Sequence, residues 1–363
     1  MPVIRSQIDD FEVEEVPLYP PCDEGEHTFL WIEKRGVDTE AVARDLAREL
    51  TLPRLAVGYA GRKDRWAVTR QWMSVPRLEA ERALTLAGPS WRVLDARRHR
   101  HKLRTGDLAG NRFRIVARGV AEDAAARAAG CLDEIRRRGL VNRFGRQRFG
   151  RLGDNAAAGA AVLRGERVRG DRRHARFLVS ALQAALFNEV LERRPAAPWH
   201  LLDGDVAVVH RTGGLFVVRD AAVESDRAAT FEVSPTGPIY GGKMRAAFGV
   251  VAEVEEAVWR AHGLASWRDL RAPRGLRVDG ARRALRVPVG DAVGTPIVGG
   301  ALELRFELPA GSYATVLLEE LFPGETIEEG GGAGSDGARG SASPGGGSDG
   351  EQDEAGALEG GDD

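Results

Sequence analysis

Residues 58–72, GYAGRKDRWAVTRQW, decide how this chain is read. The apolar run LAVGYA (55–60) enters as a short buried strand. The glycine-opened turn GRKDR (61–65) interrupts it, and WAVTRQWMSV (66–75) leaves as a second strand. A turn fixed between strand ends is the usual mount for a reactive side chain. Upstream, TFLWIE (28–33) has strand character. Thr39 then stands at an N-cap position before EAVARDLAREL; Val42, Leu46 and Leu50 recur at i, i+4 and i+8, and Pro53 follows. Residues 28–76 therefore predict strand, helix, strand, loop, strand.

Downstream, the basic run RRHRHKLR (97–104) leads through TGDLAGN into a strand, RFRIVAR, and then a helix from Glu122 to Arg138 closed by Gly139. NRFGRQRFG (142–150) follows, and residues 176–194 form an amphipathic helical pattern. The texture then changes to short strands in DGDVAVVH, GGLFVV and SPTGPIYG. After a break at Gly299–Gly300, ALELRFELPAGSYATVLLEELF reads as a strand running into a helix. The order is mixed α and β, without the regular alternation of a doubly wound sheet and without an internal repeat.

At 363 residues the chain has length for two folded units, taking about 150 residues for each. Two cysteines, Cys22 and Cys131, exclude a disulfide framework and a thiolate zinc site. No run approaches the roughly 18 apolar residues of a membrane span, and the N-terminus lacks a signal-like apolar region, so the expected compartment is the cytoplasm. The net charge of −2 conceals an uneven distribution: Pro323–Asp363 holds 11 acids and one base, leaving 51 bases against 43 acids in residues 1–322. The Gly/Ser/acid-rich segment 323–363 cannot bury apolar surface and is expected to be disordered. A basic body points to a phosphate-rich partner.

Several chemistries lack their signatures. There is no HExxH, CxxC or GxxxxGK[ST], and His99 and His101 sit inside a basic run that repels a cation. What remains is Asp64, an acid among Arg62, Lys63 and Arg65. It reads either as a turn aspartate paired with its neighbours or as a carboxylate presented for chemistry beside bases that hold phosphates. In NRFGRQRFG, phenylalanines flanked by arginines suit base stacking with backbone contact, or equally a structural turn.

Five segments taken together, in order, resemble the TruD family of tRNA pseudouridine synthases. They are DDFEVEEVP with DEGEHTFLWIEKRG, GYAGRKDRWAVTRQW, KLRTGDLAGNRF, NRFGRQRFG, and PTGPIYG with FELPAGSYATVLLEEL, spanning most of residues 9–322. The resemblance departs at Thr105 and Asp107, where the family usually has a basic residue and a histidine. It implies isomerisation of a uridine in the D-arm of tRNA, typically at position 13, with no metal and no cofactor. It further implies Asp64 as the catalytic aspartate, and Phe11, Asn142 and Tyr313 at the target base. The implied fold is mixed α/β: a catalytic domain with a mixed, largely antiparallel sheet, interrupted by an α/β insertion domain. The expected division is 1–164 and 291–322 for the catalytic domain, 165–290 for the insertion and 323–363 for the tail. The expected partner is tRNA, with no membrane and no obligate protein partner. Candidate RNA contacts are Arg62, Lys63, Arg98, Arg100, Lys102, Arg146 and Arg148. The competing readings are a non-catalytic RNA-binding protein on the same fold and a carboxylate-dependent nuclease or phosphatase.

Overall fold

Alternation of side chains across one large sheet determines where everything else sits. The computed structural model describes residues 1–150, 152–264, 266–269 and 276–330. In chain order the first unit contains β1 (Val3–Ile4), β2 (Phe11–Pro17), β3 (His27–Arg35), α1 (Thr39–Glu49), β4 (Gly58–Tyr59) and β5 (Val68–Pro76). It continues with α2 (Ala80–Leu84), β6 (Ala87–Gly88), β7 (Trp91–His99), β8 (Leu108–Arg118), α3 (Glu122–Arg138) and β9 (Leu140–Val141). The chain then builds a second unit and returns through β15 (Gly290–Ile297), β16 (Ala301–Pro309), α8 (Ala314–Leu321) and β17 (Glu328–Glu329). The sheet runs β15-β16-β8-β2-β5-β3-β7-β6. Its pairings are antiparallel except β2 with β5 and β1 with β17.

Register aligns the two faces across strands. Lys34, Thr69, Val13, Phe113 and Phe306 form one row on the inner face. Helices α1, α3 and α8 close the cores on that face; Val42, Leu46, Leu317 and Leu318 are fully buried. Each such aliphatic side chain contributes about 1.5–3 kcal/mol of burial. The outer row is charged. Arg92 and Arg70 lie 2.9 and 2.8 Å from Glu33, Arg112 lies 3.0 Å from Glu307, and Arg114 lies 2.9 Å from Glu12 and 2.7 Å from Glu303. Much of the arginine in this chain thus covers a solvent-facing sheet as a ladder of opposite charges.

The second unit holds α4 (Asn155–Leu163), α5 (Arg172–Arg193), β10 (Val206–Val209), β11 (Leu215–Val217), α6 (Ala221–Ala229), β12 (Val233–Ile239), α7 (Gly249–Ala261) and β13 (Ala281–Ala284). Its antiparallel sheet has the order β11-β10-β12-β13. β14 (Arg286–Val287) pairs with β9, so the outgoing and returning chains cross side by side. The two strands bracket residues 142–285. Within that span α4 buries Val162 against Leu178 and Val179 of α5.

Three local expectations change. Asp38, not Thr39, caps α1, accepting from Ala41 N at 2.8 Å, which frees the Thr39 hydroxyl. α5 starts at Arg172 because Asp171 caps it through His174 N. The tail begins later than Pro323. β17 pairs in parallel with β1, Ile327 packs on the main core, and Gly330 N donates to Ile4 O at 2.8 Å. Residues 331–363 of the expected tail lie outside the described residues.

Candidate active site

The turn after β4 is held at three backbone points. Gln71 Nε2 donates to Gly61 O at 3.0 Å; Lys63 N donates to Thr39 Oγ1 at 2.9 Å; Lys34 Nζ donates to Asp64 O at 2.7 Å and to Val37 O at 2.9 Å. Thr39 Oγ1 donates in turn to Gln71 Oε1, joining α1 and β5 behind the turn. Lys34 is fully buried, and burial pulls its ammonium down to about 8, partly offset by Asp64 and Asp38. Beneath the loop Lys63 meets Glu15 at 2.8 Å in a pair almost sealed from solvent. Burial pushes the Glu15 carboxyl up, and Lys63 opposes that shift.

The Asp64 side chain emerges from this scaffold 41% exposed, with Arg5 Nη2 3.2 Å from its Oδ2. Arg5 follows β1 and adopts a φ of +57°, in the left-handed region that costs a non-glycine residue about 1–2 kcal/mol. β1 is clamped between β8 and β17, which maintains that turn. The Arg5 guanidinium also lies 4.2 Å from the Phe11 ring centroid.

Asp64 opens on a cavity of about 220 Å³, smaller than the roughly 300–1,000 Å³ of drug-sized sites. Arg5, Phe11, Phe113, Asn111, Ser312 and Tyr313 are among its walls. Phe113 stacks on Phe306 at 5.1 Å between centroids and meets Phe11 edge-on. Two polar atoms of the walls, Asn111 Oδ1 and Ser312 Oγ, are buried with no hydrogen-bond partner among the described residues.

The expected residues separate on this map. Asp64, Phe11 and Tyr313 converge on the cavity. Phe11 is only 1% exposed, with Arg5 over its ring, so it is a wall rather than an open platform. Tyr313 is half-buried at the start of α8. Asn142 lies at the crossing between units, where Nδ2 donates to Ala284 O at 2.8 Å and Oδ1 accepts from Arg283. Asn111 is among the cavity walls. Lys63 also lines the cavity, its side chain 4% exposed and paired with Glu15. Arg62 is exposed at the cavity rim.

Arg98 and Arg100 carry carboxylates of their own, Glu79 at 3.1 Å and Glu24, and Lys102 donates to Leu55 O. Arg146 is almost fully exposed, and Arg148 donates to Ser180 Oγ of α5 at 2.7 Å. Asp107 builds the turn before β8, accepting from Arg104 N and from Tyr19 OH at 2.9 Å. Burial, followed by that carboxylate, pushes the Tyr19 phenol up to about 12.

Arg5, Lys34, Asn111 and Ser312 are site residues that sequence reasoning missed. Lys34 had a readable signal: Leu30, Ile32 and Lys34 share the inner face of β3, so a lysine occupies an apolar position. Asn111 stands opposite Glu15 on the inner face of β8, but only pairing register shows this.

The profile of the family described as tRNA pseudouridine synthase D (TruD) matches residues 2–169 and 171–321. A protein named tRNA pseudouridine synthase D from Geobacter metallireducens is 40% identical, over 88% of this chain and 95% of its own length. One of the same name from an Anaeromyxobacter species is 43% identical, over 88% and 91%. A crystal structure of a putative tRNA pseudouridine synthase D from Methanosarcina mazei superposes with a TM-score of 0.73 at 22% identity, over 88% of this chain and 93% of that one, which shows the shared fold. Since the profile covers nearly all of the folded residues, and relatives above 40% identity align over almost their whole length, the chain belongs to the tRNA pseudouridine synthase D family.

Proposed function

We propose that this protein converts uridine to pseudouridine in tRNA, at position 13 of the D-arm, with Asp64 as the catalytic residue. Family membership supports the reaction class. One observation carries the assignment of the residue: Asp64 is the carboxylate that opens on a cavity with room for a single heterocycle. The reaction breaks the bond from C1′ to N1 and forms one from C1′ to C5. N1 gains a proton, C5 loses one, and no electrons leave or enter. A carboxylate serves such a rearrangement by bonding to the sugar or by taking a proton. Arg5 orients the Asp64 carboxylate, and the three loop tethers stop it from retreating during the step.

The uridine must leave its stack to enter, at a cost of a few kcal/mol. The Tyr313 and Phe113 rings offset this cost by contact with the base, and Asn111 Oδ1 accepts from its N3–H. The nuclease reading would need acids clustered around a metal, and among the described residues no such group of ligands occurs; the bases beside Asp64 favour an anionic substrate instead. The test is release of tritium from tRNA labelled at uracil C5, with the product mapped chemically. Release stoichiometric with pseudouridine at position 13 is expected. Release from another position would contradict the site of modification, and none at all would contradict the activity.

A further inference from the structure

The excess of positive charge is not where the densest basic run lies. Arg97, Arg98 and Arg100 have Asp95, Glu79 and Glu24 beside them, so three of the run's five lysines and arginines are paired. The first half of α5 differs. Between residues 167 and 176 five arginines accompany one acid, Asp171, whose carboxylate caps the helix. Arg173 and Arg176 are exposed and have no carboxylate partner among the described residues. They share a helical face with Phe177 and Ser180 at i, i+3, i+4 and i+7.

Phe177 is 43% exposed, and its ring lies 6.3 Å from His174 and 5.8 Å from the Arg148 guanidinium. An exposed phenylalanine framed by cations is the arrangement that stacks an unpaired base while holding its backbone. This face is continuous with the cavity. Arg148 binds Ser180 on α5, and Gly145, at the start of the same short turn, packs so closely under Tyr313 that an added Cβ would stand 3.2 Å from the ring.

The geometry points to Arg173, Arg176 and Phe177 of α5, joined to the cavity through Arg148, as the surface on which tRNA docks beside the extruded nucleotide. The inference rests on tRNA being the substrate, and it adds α5 to the basic surface that the sequence placed on residues 97–104 and 146–151. Each neutralised phosphate contributes a slope of about −0.7 to −0.9 in log K against log salt.

The full-length double variant Arg173→Ala/Arg176→Ala should therefore bind tRNA at least about tenfold more weakly at low salt, with the slope flattened by about 1.4 to 1.8. Arg173→Lys/Arg176→Lys should restore most of both. Phe177→Ala should weaken binding about tenfold and Phe177→Trp should not, because stacking needs only a π-face. The equal-charge control is Arg211→Ala/Arg219→Ala, both exposed near β11, and it should stay within about threefold of wild type. Wild-type affinity in the α5 alanine variant, or equal loss in the control, would overturn the proposal. Affinity is read without turnover. A wild-type protein that binds through α5 yet forms no pseudouridine would therefore sink the catalytic reading and leave the docking surface standing.

Discussion

Asp64 has its carboxylate in a partly open cavity and its backbone end tied to a buried lysine. Lys34 supplies the tie through two carbonyl contacts, so Lys34→Met should lower kcat by about tenfold or more through loss of loop position, with little change in tRNA affinity. The pH dependence has a definite sign. Folded Lys34 titrates at about 8 and the unfolded side chain at its ordinary 10.5, so between those values the unfolded state binds more protons. Stability from this group therefore rises with pH across that window and is flat below it. Thermal unfolding of wild type and Lys34→Met from pH 7 to 10 should show their difference moving in favour of wild type above pH 8; a flat or opposite trend would contradict the buried-ammonium description. Tyr313→Ala should lower kcat about tenfold and change the dissociation constant for tRNA less, since its ring meets the base after docking. Equal losses would place Tyr313 in the general RNA surface.

The short strand β17 shows how a remote element positions that residue. It pairs with β1, and the residue after β1 is Arg5, whose left-handed backbone turn aims its guanidinium at Asp64. Ending the chain after Gly330 should leave unfolding and saturated turnover as they are. Ending it after Phe322 removes β17 and Ile327, and should lower kcat together with Tm, the latter by about 2–4 °C per kcal/mol lost. Comparing the two truncations by calorimetry and turnover checks this; identical behaviour would show that β17 is dispensable.

Several elements were legible because their signals are local: α3 spans Glu122–Arg138 with Gly139 after it, as the sequence reads, and β3, β16 and α8 fall where periodicity puts them. β17 was not legible. Two glutamates amid glycines carry no strand signal, and only pairing with a distant β1 makes the strand. The packing of α4 was hidden for a related reason, since only its contact with α5 shows it.

Across the whole molecule, charge is sorted by surface. The outer face of the large sheet neutralises its arginines pairwise, three cations of the 97–104 run have acids beside them, and Arg173 and Arg176 of α5 have no carboxylate partner among the described residues. Residue counts revealed the excess but not its location, because pairing partners such as Glu24 with Arg100 are far apart in sequence. The contact of Asn142 with Arg283 was hidden for a similar reason, since the two are far apart in sequence. Removing residues 331–363 takes away eight acids and one base and raises the net charge from −2 to +5. That truncation should tighten tRNA binding at low salt, by an amount that fades as the Debye length falls to about 8 Å at physiological ionic strength. Affinity against salt for both chains measures it, and weaker binding by the shortened chain would give the segment a positive role in docking.

The separation of chemistry from docking is tested most directly by Asp64→Asn, assayed for tRNA affinity and for pseudouridine on one preparation. The substitution removes the reactive carboxylate while keeping its size and the loop tethers, none of which uses that side chain. The expected result is tRNA affinity within about tenfold of wild type with no pseudouridine formed. Product at a near wild-type rate from the pure variant would contradict the account at its centre.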